Sequence, residues 1–384
     1  MDKEIKGLTS AAKRILMAVR DKERIIVFGD GDLDGIISVV IFKQALEILG
    51  ESLSAVFFAN RKKYGYGLSI KCLDFFKDKP PALLVVFDCG TNNMETIDIA
   101  QKAGFSVVVV DHHVALQKLL DDLIIINPKQ EGDDYPFKEM CASGLSYYLA
   151  KKILNMAQKE FMPETLLELA MIGTFFDRVP INYDNEKIIE QGLIVLPLTK
   201  RIGLRILMDV AECEIYDQEE IIDKVIAPLS AAVGEHAENE AFVLLTSNNA
   251  QEIEVLSNTL IERAKQKKQK VRDIIDSVEQ NADMNDLIIF SGSKDYELFM
   301  LGSVASFLSR KYDKPVFIYS QYEKESQGSV RSTEDIDSVK LMSSCSHLVK
   351  NYGGHPKASG FGLKNENLDE FKKCLIENLI NPIG

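Results

Sequence analysis

Between residues 25 and 126 the chain alternates short, continuous apolar runs with longer segments of helical period. RIIVFGD, SAVFFAN, ALLVVFD, SVVVVD and LIIIN predict strands. GIISVVIFKQALEILG, the region near SIKCLDFFK, NMETIDIAQKAG and VALQKLLDD predict the helices between them. Unbroken apolar strands alternating with helices imply βαβ units and a parallel sheet covered on both faces. Residues 142–223 read as mostly helical: ASGLSYYLAKKILNMAQKE, then PETLLELAMIGTFF, then NEKIIEQGLIVL. From about 249 to 279 the sequence has strong helix formers and no Gly or Pro, which predicts one long helix. Strand signals return at DLIIFSG, PVFIYSQ and QGSVRST, with helices at LGSVASFLSRKY and near LDEFKKCLIENLI. The expected architecture is α/β. It comprises a parallel-sheet domain with a helical part over residues 1–248, a connecting helix over 249–282, and a smaller α/β domain over 283–384.

Composition narrows the class. With 384 residues, 46% of them hydrophobic, the chain can bury two ordinary cores. No apolar run reaches membrane-spanning length. The opening MDKEIKGLTSAAKR has no apolar stretch of the secretory kind. Six cysteines stand at 72, 89, 141, 213, 345 and 374 without a CxxC pair, so neither structural zinc nor a disulfide framework is expected, and a reducing cytoplasm fits. The net charge of −13 argues against non-specific coating of nucleic acid. It leaves room for an enzyme that meets phosphate through bound cations.

The acid is concentrated where a parallel sheet binds ligands, at the carboxyl ends of strands. RIIVFGDGDLDG presents Asp30, Asp32 and Asp34; LLVVFDCGTNN presents Asp88; SVVVVDHH presents Asp111, His112 and His113. Taken singly, each reads as a turn, a helix cap or a solvated loop. At successive strand ends they would be gathered along one edge, where four or more carboxylates repel one another strongly. Either several are protonated or cations sit between them, and the neighbouring imidazoles favour cations. Aspartate oxygen with histidine nitrogen and no thiolate suits Mn²⁺ or Mg²⁺ better than zinc. The ligands suffice for two ions sharing a carboxylate, an arrangement that binds phosphate, activates water and stabilises a leaving oxygen.

In their order and spacing these segments resemble the DHH phosphoesterase superfamily, in particular its RecJ-like exonuclease branch. The resemblance runs through GDGDLDGIIS, NRKKYGYGLS, FDCGTNN, VVVVDHH, INPKQEGDDYPFKEMCASGLSYYLAKKI and LAMIGTFFDRVP. GSVRS and YGGHPKASGFGL then look like the DHHA1 domain of that family. The resemblance implies one ion on Asp30, Asp32 and Asp88 and a second on Asp34, Asp88, His112 and Asp177. Where other branches carry a histidine before the first motif this chain has Phe28, and Asp30 takes that role. It implies that His113 faces the scissile phosphate, as a hydrogen-bond or proton donor, and that Asp111 orients the histidines. Arg61, Arg331 and the Gly353-Gly354-His355 turn are the implied substrate-binding positions, an arginine being suited to bidentate phosphate contact.

The resemblance implies a manganese- or magnesium-dependent 5′→3′ exonuclease in DNA repair, acting on single-stranded DNA that threads between the domains and releasing mononucleotides. Departures from the pattern keep two other readings open. At 227–239 the chain reads APLSAAVGEHAEN, without the two arginines that RecJ-like sequences show there, and Tyr296-Glu297 stands in place of Trp-His. The chain is also expected to lack room for the OB-fold that grips single strands in bacterial RecJ enzymes. These features favour a phosphoesterase for short DNA or RNA oligonucleotides or for cyclic dinucleotides. A non-catalytic Cdc45-like scaffold is the third reading, and the complete ligand set argues against it. The basic segment ERAKQKKQKVR could line a nucleic-acid path, or be one solvated helix face. No membrane partner is expected, and the sequence names no protein partner.

Overall fold

A computed structural model describes residues 3–65, 67–159, 164–214 and 217–380, apart from the side chains of residues 61, 62 and 164. The chain divides into two compact units, residues 1–264 and 265–384. The division falls within a single helix, Ala250–Asn281. Among the described residues, no helix is long and apolar enough to cross a membrane.

The first unit is organised by a five-stranded sheet. Its strands are β1 (Ile25–Gly29), β2 (Ala55–Phe58), β3 (Ala82–Phe87), β4 (Phe105–Val110) and β5 (Ile124–Ile126), in the order β2-β1-β3-β4-β5. All pairings are parallel. Alternate residues serve two cores. Val27, Val85, Phe87, Val108 and Val110 face the helices Leu8–Arg20, Leu33–Ile48, Ala142–Met156 and Glu164–Asp177. Phe28, Leu84, Val86, Val107 and Val109 face the other side with the helix Met94–Lys102. Side chains buried this fully contribute about 1.5–3 kcal/mol each, which fixes every strand's register. The chain reverses direction across the sheet between β1 and β3, and ligands bind at such a switch point.

One expected helix is absent. Residues 114–122 form an irregular connection to β5. The Asn92 side chain donates to Val114 O (2.9 Å) and accepts from Leu116 N (2.8 Å), holding the backbone away from a helical path. Val114 and Leu116 are consequently exposed, whereas Leu119 and Leu120 pack on the core.

The second unit contains a mixed sheet of β6 (Ile289–Ser293), β7 (Val316–Gln321), β8 (Glu325–Arg331), β9 (Val349–His355) and β10 (Ala358–Lys364), in the order β6-β7-β8-β10-β9. Only β6 and β7 run parallel. Helix Leu301–Tyr312 covers one face and Leu368–Ile380 the other. The last two strands form a hairpin that the Gly-rich sequence YGGHPKASGFGL did not announce. The cysteines also depart from expectation: Cys345 and Cys374 form a disulfide between the end of helix Ser338–Ser344 and helix Leu368–Ile380. They are 29 residues apart, so no local motif could signal the pair.

Candidate functional site

The sheet ladder itself delivers the acidic residues. One residue past the strand ends, Asp30 N donates to Phe87 O (3.1 Å), Asp88 N to Val110 O (2.9 Å) and Asp111 N to Ile126 O (3.0 Å). Three aspartates from β1, β3 and β4 therefore stand side by side, all buried. Asp88 occupies the left-handed region at φ 59°, uncommon for a residue with a Cβ and frequent where function demands an exact side-chain placement.

Helix starts bring in the others. Asp32 caps the helix Leu33–Ile48, accepting from Asp34 N (3.1 Å) and Gly35 N (3.2 Å). Gly35 has to be glycine, because a Cβ there would lie 2.5 Å from Asp30 O. Asp34, one residue inside the helix, is buried, and its two oxygens accept from Ala142 N (2.8 Å) and Ser143 N (2.9 Å). These amides open the helix Ala142–Met156, so the positive end of its dipole meets the carboxylate. Gly173 lets the next helix come close, since a Cβ would meet Ser143 Oγ at 1.9 Å and Asp34 Oδ1 at 3.0 Å. That helix, Glu164–Asp177, ends on Asp177.

The result is three overlapping groups, each with ligand atoms within 4.8 Å of one another: Asp30, Asp32 and Asp88; Asp34, His112 and Asp177; Asp88, His112 and His113. His112 Nε2 lies 3.3 Å from Asp88 Oδ1, and its Nδ1 lies 3.7 Å from Asp177 Oδ2. Every position assigned above to metal is in the cluster. Burial and the charge of Asp32 push the Asp34 carboxyl up to about 6. Burial, with the charges of Asp34 and Asp32, pushes Asp177 up to about 8. Asp88 is raised well above the ordinary range by burial and then by Asp32, Asp34 and Asp30. Burial and the neighbouring His113 lower His112 to about 4, so it is a neutral donor near pH 7. Three carboxylates raised in this way by burial and by one another's charge, beside a neutral imidazole, fit divalent cations with oxygen and nitrogen ligands.

Asp111 belongs to none of these groups and supports the histidines instead. Its Oδ1 accepts from His112 N (2.7 Å) and His113 N (3.2 Å) and lies 2.7 Å from His113 Nδ1, while Oδ2 accepts from Thr91 N (2.9 Å). Burial opposes the charge of Asp111, but the His113 hydrogen bond and charge outweigh it and hold the carboxyl low. The same hydrogen bond raises His113, which is about half exposed. Asn127 completes this layer, donating to His113 O (2.9 Å) and Thr91 Oγ1 (3.0 Å) from a fully buried position. Asn127 was not among the candidate residues expected from the sequence. The signal was available: Asn127 follows β5 as Asp88 follows β3 and Asp111 follows β4.

The remaining assigned residues divide. Arg61 opens a short helix, Arg61–Tyr64, after β2, and its side chain lies outside the described residues. Arg331, Gly353, Gly354 and His355 belong to the second unit and share one end of its sheet. Arg331 on β8 pairs with Ala358 on β10, which pairs with His355 on β9. Arg331 Nη1 donates to Val330 O (2.9 Å) and Ser329 Oγ (3.3 Å). Its Nη2 would lie 3.2 Å from a Cβ on Gly302, in the first turn of helix Leu301–Tyr312. A guanidinium beside a helix N-terminus is suited to an anion. Gly353, Gly354 and His355 are exposed at the hairpin end.

Residues 24–174 match the DHH family, N-terminal domain, and residues 285–381 match the DHHA1 domain. The single-stranded-DNA-specific exonuclease RecJ of Bacillus subtilis is 30% identical over 99% of the chain and 48% of its own length. That of Thermus thermophilus is 27% identical over 96% of the chain and 54% of its own length. The chain thus spans about half the length of these relatives. A crystal structure of exonuclease RecJ bound to manganese superposes with a TM-score of 0.82 at 26% identity, covering 98% of this chain and 95% of that one.

Proposed function

The chain belongs to the DHH superfamily and is RecJ-like, and from that premise we propose that it is a metal-dependent exonuclease acting on single-stranded DNA. The observation that carries this reading is the gathering of Asp30, Asp32, Asp34, Asp88, His112 and Asp177 into overlapping ligand groups at the switch point of a parallel sheet. In this reading Asp30, Asp32 and Asp88 hold one Mn²⁺ or Mg²⁺, and Asp34, Asp88, His112 and Asp177 hold a second. Such a pair of ions, when bound, lowers the pKa of a water and neutralises charge on the phosphodiester.

The chain's own groups do the rest. Asp111 keeps a proton on His113 through the 2.7 Å contact at Nδ1. The partly exposed imidazole then donates to a phosphate or leaving oxygen. Asn127 and Thr91 hold the backbone and carboxylate that aim the ring. Arg331, His355 and the Gly353-Gly354 backbone bind phosphate on the second unit, as does Arg61 on the first. Cleavage proceeds 5′→3′ to mononucleotides, in DNA repair and in the cytoplasm.

The test is purified protein with Mn²⁺ on 5′- and 3′-labelled DNA and RNA, at about three and about twenty nucleotides. Stepwise loss of label from the 5′ end of long single-stranded DNA is expected. Cleavage confined to the shortest oligomers would replace this reading with the short-substrate phosphoesterase, which the changed segment at 227–239 favours. No turnover with any divalent metal would remove both.

A further inference from the structure

The segment between the helices Ala227–Ser230 and Glu240–Thr246 is unusually well pinned. Arg263 donates to Ala231 O (3.0 Å) and pairs with Glu240. Glu240 Oε2 in turn accepts from Val233 N (2.7 Å), and Asn239 caps the following helix. At the centre, His236 adopts a positive φ of 56°, stacks on Phe75 with centroids 4.0 Å apart, and meets Phe57 in a tilted contact at 4.5 Å. This platform holds Glu235. Its Oε2 lies 3.2 Å from Lys63 Nζ and 3.5 Å from the Tyr64 hydroxyl.

Lys63 and Tyr64 stand on the rim of the acidic edge. Their short helix follows β2, whose end abuts the first acidic loop so tightly that a Cβ on Gly31 would lie 1.9 Å from Ala59 O. Downstream, Gly67 abuts Asn93, which follows β3 and Asp88; a Cβ there would lie 2.5 Å from Asn93 Oδ1. Between them is an open groove of about 550 Å³, lined among others by Lys63, Tyr64, Ser69, Lys71 and Asn93. Two lysines, a tyrosine face and amide and hydroxyl donors suit a nucleotide and its phosphate. Glu235 places a carboxylate on one of those two lysines.

We infer that Glu235 is a specificity-determining residue that weakens the grip on strand phosphates beyond the cleaved nucleotide, biasing the enzyme towards short single strands. This rests on the nuclease reading of the same site. Exposed pairs such as Lys63–Glu235 contribute little to folding, so the consequence of the contact lies in the field along the groove.

The experiment compares wild type with E235Q, E235K and the double variant E235Q/K63M. Equilibrium binding of a labelled oligothymidylate of about twenty nucleotides is followed by fluorescence anisotropy in calcium buffer at several salt concentrations. Cleavage of the same oligomer and of a trimer is followed in manganese. For E235Q the long oligomer binds about threefold more tightly at low salt, and the salt slope steepens by about 0.7, the signature of one more phosphate contact. The ratio of kcat/KM for the long over the short substrate rises, E235K shifts it further, and E235Q/K63M loses the gain. Equal affinity and slope in wild type, E235Q and E235K, binding by none of them, or a gain that survives K63M would overturn the inference. Absence of cleavage by every variant sinks the nuclease reading instead, and the binding measurements still report on Glu235.

Discussion

The two sheets of this protein end in opposite chemistry. The parallel sheet of the first unit terminates in buried aspartates at the ends of β1, β3 and β4, each placed by a strand whose side chains are committed alternately to two packed cores. The mixed sheet of the second unit terminates in Arg331, His355 and two glycines, partly or fully exposed, on strands whose pairing is antiparallel. On the proposed reading the first end gathers cations and the second meets anions. The difference teaches that precision and adaptability are divided between the units. Ions need donor atoms held to fractions of an ångström by a rigid, buried frame, whereas a flexible polyanion is met by forks and backbone at a surface.

The comparison breaks most easily at Asp88, which belongs to two of the three ligand groups. D88N keeps the shape and removes the charge. It should lower kcat by roughly 1,000-fold or more, corresponding to the several kcal/mol that metal ions supply in the transition state. Rapid-quench assays in manganese would measure this. Near-wild-type kcat in D88N, with the metal content unchanged, would show that the acidic edge is not the catalytic one.

The second unit is predicted to respond differently. Arg331→Ala removes a charged fork from the sheet end and should raise KM about 10- to 100-fold, in line with hydrogen bonds to charged groups. The effect on kcat should be small. Steady-state assays of both parameters decide this, because a fall in kcat at constant KM would move Arg331 from holding the substrate into the chemistry.

How far the sequence exposes each region follows the same division. The strands of the first sheet are unbroken apolar runs, so the strands and the acid after them can be read directly. Segment 114–122 has the composition of a helix, but the Asn92 side chain, 22 residues from Val114 in sequence, claims its backbone. Asp177 is in fact the last residue of a helix, as its context suggests. Only packing across Gly173 reveals that this helix end also reaches Asp34 and His112, so resemblance found what residue patterns could not. In the second unit, β9 shows no period-two alternation, with Gly353 and Gly354 in place of side chains, and in β10 the alternation of Phe361 and Leu363 is with glycines, Gly360 and Gly362, which read as a turn. The strand character of β10 comes from its pairing with β8, a long-range fact, and that of β9 from pairing in turn with β10. The Cys345–Cys374 bond is hidden for the same reason.

A third expected effect sharpens the contrast most, because it separates the acidic edge from everything else by its pH dependence. Without metal, the cluster in the first unit is held together partly by protons. Asp177, raised to about 8, Asp88, raised well above the ordinary range, and His113, raised by Asp111, each bind a proton more tightly in the folded chain than in the unfolded one. A group of that kind contributes stability fully below its unfolded pKa and loses it as pH rises through the folded value. His112, lowered to about 4, acts in the opposite sense but only below about 6.5, the ordinary histidine value. Between about pH 6.5 and about pH 8.5 the raised groups therefore act without that opposition, and the EDTA-treated first unit should melt at lower temperature as pH rises. Manganese takes the place of the protons. At about 100 times its Kd it should add about 2.7 kcal/mol, or roughly 5–10 °C for a unit of this size, with the larger gain at the higher pH. Differential scanning calorimetry, with and without manganese at both pH values, makes the measurement. A melting temperature that rises with pH in EDTA, or a manganese gain that is the same at both pH values, would mean that the buried aspartates do not hold the ions, and the contrast between the two sheet ends would fail at its acidic side.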